Sequence, residues 1–121
     1  MSLSLQAKLQ QIGTAFATVT TNCWHYWRPV KTTPCLIWAE TGEDDSFHSD
    51  NHKSEQRIIG TVDLFTKTEF DPLADDVQDT LESLGMTWSL NSVQYEEETN
   101  LIHMEWIWGV INDGEVDERE T

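Results

Sequence analysis

The chain has 121 residues, with 22 acidic against seven basic side chains and a formal charge of −15. One hydrophobic core fits this length and two do not. The charge repels a nucleic-acid backbone or an anionic membrane, the apolar share of 38% with six tryptophans excludes a disordered chain, and no apolar run of about 18 residues is present to span a bilayer.

Leu5, Leu9, Ile12, Phe16 and Val19 recur at helical steps between Gln, Lys and Thr, which predicts an amphipathic helix over 3–19 capped by Ser2 or Ser4. Gly13 lies inside it at a cost of roughly 1 kcal/mol relative to Ala, so the helix depends on docking. The start, MSLSLQAKLQQIG, lacks the basic and long apolar regions of a signal peptide, and the expectation is a cytoplasmic chain. CWHYWRPVKTTPCLIWAE then reads as two aromatic-rich strands around a turn, a hairpin. With Arg28 facing Pro34, Trp24 lies opposite Trp38 and Tyr26 opposite Leu36. In that register Cys23 and Cys35 are too far apart to bridge, and free thiols follow. Both faces of this hairpin are apolar, so a helix covers one and a neighbouring subunit is expected on the other.

Residues 41–53, TGEDDSFHSDNHK, form a long polar connection, and loops of this length are functional or mobile. EQRIIGTVDLFTK is the next strand, with Gly60 marking a bulge or a close backbone approach. Asp71 and Pro72 open a second helix along Leu73, Val77, Leu81 and Leu84, closed by Gly85. Met86, Trp88 and Leu90 alternate and then change phase to Val93 and Tyr95, which predicts a bulge near Asn91 and Ser92. EEETN turns the chain into a final strand through Ile102, Met104, Trp106, Trp108 and Val110. The result is α+β, a single domain of order α-β-β-β-α-β-β with two helices on a mainly antiparallel sheet. It spans residues 1–111, and 112–121 is an acidic tail expected to be disordered.

Few residues point to chemistry. His48, Asp50 and His52 alternate and suit a divalent cation in spacing, but structural zinc sites take four ligands, often Cys, and neither Cys is near. A solvated or interface loop is the better reading, with a small metal-dependent enzyme as a third alternative. His25 and His103 sit among apolar neighbours and read as structural histidines. No GxSxG elbow, P-loop or GxGxxG motif occurs, and the expectation is no catalytic residue, no cofactor and no metal.

CWHYWRPVKTTPCLIWAETGE, SFHSDNHKSEQRIIGTVDLFTKTEFDPLADDVQDTL and VQYEEETNLIHMEWIWGV together resemble small tail-completion proteins of phages and prophages, related to the tail terminators of long-tailed phages. The resemblance covers roughly residues 5–110. Its most specific parts are GTVDLFTKTEFDPLADDVQ and VQYEEETNLIHMEW. It implies a non-enzymatic virion protein, located in the tail or neck after assembly in the host cytoplasm. Such a protein forms a homo-oligomeric ring, a hexamer in the assembled tail even where the free subunit is monomeric. Its expected partners are the tail-tube and head-connector proteins, with no nucleic-acid or membrane binding. The expected subunit interface is Trp24, Tyr26, Trp27, Phe47, His48, Asp50 and His52. An acidic DNA mimic that occupies a host nucleic-acid-binding protein is the alternative that the charge raises.

Overall fold

A computed structural model describes residues 4–28, 32–44 and 56–112, together with the backbone of 48–49 and 52–53. Helix α1 spans Leu5–Phe16, capped by the Ser4 hydroxyl, which accepts from the Ala7 N–H at 3.1 Å. Strand β1 is Cys23–His25, β2 is Cys35–Glu43, and β5 is Arg57–Thr66. Between the last two, His48–Ser49 (β3) and His52–Lys53 (β4) pair as a small antiparallel ladder. Helix α2 runs Leu73–Ser83, followed by the β6 (Thr87–Glu96) and β7 (Leu101–Ile111) hairpin.

The main sheet has the order β1-β2-β5-β7-β6. Only the β1–β2 pairing is parallel. The predicted class, α+β with two helices and a mainly antiparallel sheet, is the observed one, and the β6–β7 hairpin forms as expected.

The first predicted hairpin does not form. β1 pairs with β2 in parallel, with Cys23 beside Leu36, Trp24 beside Ile37 and His25 beside Trp38. Asn22 supplies the reason. Its amide donates to the Thr32 and Pro34 carbonyls at 3.2 and 2.9 Å, and its carbonyl accepts from Leu36 N–H at 2.9 Å. The connection therefore returns to the start of β1 before β2 begins, and the two strands set off in the same direction. Cys23 and Cys35 are both free thiols, although the pairing that led to that expectation is not the one observed.

Along β5 buried and half-buried residues alternate without a break, as a strand with one covered face requires. Ile58, Gly60, Val62, Leu64 and Thr66 face the helices. Both helices lie on this side, over Leu36, Trp38, Trp106 and Trp108, with Leu9, Ile12 and Phe16 from α1 and Val77 and Leu81 from α2. The two interior tryptophans, Trp106 and Trp108, each contribute roughly 4 to 6 kcal/mol of burial as an upper bound.

The glycines within elements have steric reasons. A Cβ on Gly13 would stand 2.8 Å from the Trp38 ring, so α1 accepts a weak helix former to lie against that indole. A Cβ on Gly60 would come within 2.4 Å of both the Ala39 carbonyl oxygen and Trp108. The expected close approach at Gly60 is therefore present, and the β2 strand bulges beside it, between Glu40 and Gly42. The expected β6 bulge lies between Leu90 and Ser92.

At the start of α2, Asp71 accepts from the Leu73 N–H at 2.9 Å and the Thr66 hydroxyl at 2.5 Å, joining the helix to the end of β5. Gly85, at φ 71°, ends it: its N–H bonds to the Glu82 carbonyl and that of Met86 to Leu81, a Schellman closure. Beyond Ile111, Asn112 is buried and bonds back to Gln56 through backbone and side chain at 2.8 and 3.0 Å. The acidic tail lies outside the described residues.

Candidate subunit interface

Two helices over one face leave the other face of the sheet without a helix among the described residues. Alternation places Ile37, Ala39, Ile59, Thr61 and Ile107 on this open face, with Trp24 next to Ile37 at the β1 edge. Ile107 and Trp24 are exposed, and the others are half-buried. A polar group interrupts this apolar surface. The His103 imidazole lies 2.6 Å from an Asp63 carboxylate oxygen and stacks on Phe65 at 4.2 Å, and the Arg28 guanidinium sits 4.6 Å over that same ring. Glu105, opposite Asp63 across the ladder, accepts from the Asn91 amide at 2.8 Å. Burial and the nearby Glu105 charge push the Asp63 carboxyl above its ordinary value, against the pull of His103.

A second cluster forms where β1 ends. His25 stacks between Tyr26 and Trp38 at centroid distances of 3.7 and 3.9 Å and lies 2.8 Å from Glu40. The Tyr26 hydroxyl donates to the other oxygen of the same carboxylate. Burial alone would push Glu40 up, but the hydrogen bonds from Tyr26 and His25 outweigh it and hold its carboxyl below the usual value. Tyr26 occupies φ 78°, a conformation that a bulky side chain seldom adopts. It turns the chain out of β1 and leaves Tyr26 and Trp27 58% and 65% exposed.

Of the seven residues expected at an interface, Trp24, Tyr26 and Trp27 thus form an exposed aromatic margin at one end of the sheet. The Trp24 indole donates to Asn22 at 2.6 Å, which holds it in place. Phe47 and Asp50 lie outside the described residues, as do the side chains of His48 and His52, and so does the proposed metal reading of that loop. The backbone there shows that 41–43 belong to β2, so the connection is shorter than the sequence suggests. Both histidines read as structural are bonded to carboxylates. Sequence reasoning passed over those carboxylates, Glu40 and Asp63; the one signal for Asp63 was a lone acid between Val62 and Leu64.

Against this geometry, comparison with known proteins gives a fold likeness. No family model and no curated protein matches the sequence. Among solved structures, a chain in the virion of a native gene transfer agent particle matches with a TM-score of 0.57. The match covers 92% of this chain and 96% of that one, at 14% identity. In fold, this chain is similar to a virion protein. The likeness spans nearly the whole of both molecules, so the shared architecture is that of a complete domain and not of a local motif.

Among the described residues, no helix is long and apolar enough to cross a membrane, and no three His, Cys, Asp or Glu side chains gather as a metal site.

Proposed function

We propose that this protein is a non-enzymatic structural component of a phage or prophage virion, a tail terminator or head-tail joining protein. In this reading it works as a homo-oligomeric ring, a hexamer, that caps the tail tube and meets the head connector. The observation that carries the reading is the fold likeness to a chain of a virion particle over nearly the full length of both. The open sheet face and the aromatic margin of Trp24, Tyr26 and Trp27 support it. A closed ring of identical subunits needs two different patches on each copy, and a half-apolar sheet face with an aromatic edge is suited to be one of them. The part of 41–53 that follows β2, with Phe47, His48, Asp50 and His52, is assigned to pack on the neighbouring subunit or the next ring. The negative charge supports a conduit that lets a duplex pass without gripping its phosphates.

Negative-stain microscopy of the protein mixed with its cognate tail-tube protein tests the proposal. Tubes of uniform length with an added ring at one end are the expected result, and alanine substitution through 46–52 should abolish the ring while the monomer stays folded. Unaltered tubes of uncontrolled length, with capture of a basic DNA-binding protein from host lysate, would replace this reading with the DNA mimic.

A further inference from the structure

Strand β6 is the outermost strand of the sheet, bonded to β7 on one side and to no strand on the other among the described residues. Proteins ordinarily blunt such an edge with shortness, Lys, Pro or inward charge, because its free N–H and C=O groups accept any passing strand. This edge is ten residues long, and TWSLNSVQYE contains neither Lys nor Pro and a single acid at its end. Its one irregularity is the bulge between Leu90 and Ser92.

The surface beside this edge is apolar. Leu90, Val93 and Tyr95, on the helix side of β6, are exposed, because α2 stops short of covering them. Their floor continues into Met104 and Ile102 of β7, their cross-strand partners. A depression of about 340 Å³ lined by Phe70, Ala74, Asp75, Ile102 and Met104 shares Ile102 with a second, of about 470 Å³, lined by Lys67, Glu69, Tyr95 and Asn100. Phe70, which lines the smaller depression, is 92% exposed with its backbone at φ 59°. A phenylalanine in the left-handed region is a backbone outlier, and such outliers cluster at functional sites.

Charge restricts the occupant. Glu69, Asp71 and Asp75 line the two depressions against Lys67 as their base, and Glu97 and Glu98 stand in the turn that follows β6. A basic segment complements this rim, and this chain, with seven Lys and Arg in 121 residues, has few to offer. We propose that β6 is a strand-addition site for an extended segment of a different protein, whose alternate apolar side chains lie against Leu90, Val93 and Tyr95 and whose flanks carry Lys or Arg. Main-chain bonds to the edge would hold the segment, the groove would choose its apolar side chains, and the rim would choose its charge. This inference is independent of the ring reading.

The test uses a fluorescent peptide of alternating Val and Thr with two Lys at each end, and a matched peptide with Glu at the ends. Anisotropy measures binding, and hydrogen exchange locates it. The Lys-flanked peptide is expected to bind and to slow exchange of the 87–96 amides, with the Glu-flanked peptide at least about tenfold weaker. Val93→Lys and Leu90→Ser, at positions 55% and 44% exposed, should each weaken binding about tenfold with native circular dichroism. Should one variant unfold, the other carries the comparison. The proposal is overturned if neither peptide binds, if both bind equally, or if protection falls outside β6. Protection of β6 that rises with protein concentration in the absence of peptide would assign the edge to a second copy and also overturn it.

Discussion

Replacing Gly60 with Ala probes the tightest point behind the open face. The added Cβ would stand 2.4 Å from the Ala39 carbonyl oxygen and 2.4 Å from a Trp108 ring carbon, where real Cβ contacts essentially never fall below 3.0 Å. The carbonyl belongs to the β2–β5 ladder, and Trp108 is buried among α2 and the sheet, so neither neighbour yields at low cost. Overpacking of this kind costs about 3 kcal/mol at the upper end of its usual range. The smaller conformational freedom of an unfolded Ala chain returns about 0.7 kcal/mol. The net loss expected is about 2 kcal/mol. With a urea m-value of about 1.5 kcal/mol/M, the unfolding midpoint should fall by somewhat over 1 M at unchanged slope. Gly42→Ala is the control, since nothing lies within 4 Å of its Cβ position, and it should leave the midpoint in place or raise it slightly. A Gly60→Ala midpoint within about 0.3 M of the parent would refute the account of Gly60 as a position held open for Trp108 and β2.

Burial, with Cys35 beside it, pushes the Cys23 thiol up to about 11 from 9.0, so its thiolate fraction at pH 8 falls about a hundredfold. Iodoacetamide should modify native Cys23 at least that much more slowly than the urea-unfolded chain, and equal rates would contradict the packing. Glu40 is held below 4.5, so its contribution to stability is complete above pH 4.5 and is lost as pH falls through the depressed value. Glu40→Gln should therefore unfold more easily at pH 6, with the difference shrinking as pH falls below 4.5; it stays below about 1 kcal/mol because solvent screens the group, and thermal melts over a pH series measure it. Asp71→Ala removes the carboxylate whose two oxygens accept from Leu73 N–H and the Thr66 hydroxyl, with an expected loss of about 1 to 2 kcal/mol in urea titration.

Local signals in the chain carried much of the architecture. Ser4, the Asp71-Pro72 pair and Gly85 mark helix ends by chemistry within a few residues, and all three ends stand within a residue or two of the expectation. The phase change from Leu90 to Val93 announced the β6 bulge because side-chain alternation cannot survive an inserted residue. Two greasy strands early in the chain likewise implied a sheet with an apolar face beyond the reach of the helices. The direction of β1 against β2 was not legible in the same way. It is decided by Asn22, whose bonds reach ten and twelve residues ahead to Thr32 and Pro34, and no pattern of alternation records a contact of that kind.

The candidate surfaces divide along the same line. Trp24, Tyr26 and Trp27 drew notice as part of an expected aromatic hairpin, yet their exposure follows from the turn at Tyr26 and from β1 ending after three residues. The pairing of His103 with Asp63, forty residues apart, and the position of β6 at the sheet edge exist only once five strands take their order. Hydrophobic period and capping chemistry act between near neighbours, so the amino-acid sequence by itself determined which segments became helices and strands and which side of each was apolar. Strand order and direction are set by contacts between residues far apart in the chain, and it was these that decided which apolar side was buried and which stayed open.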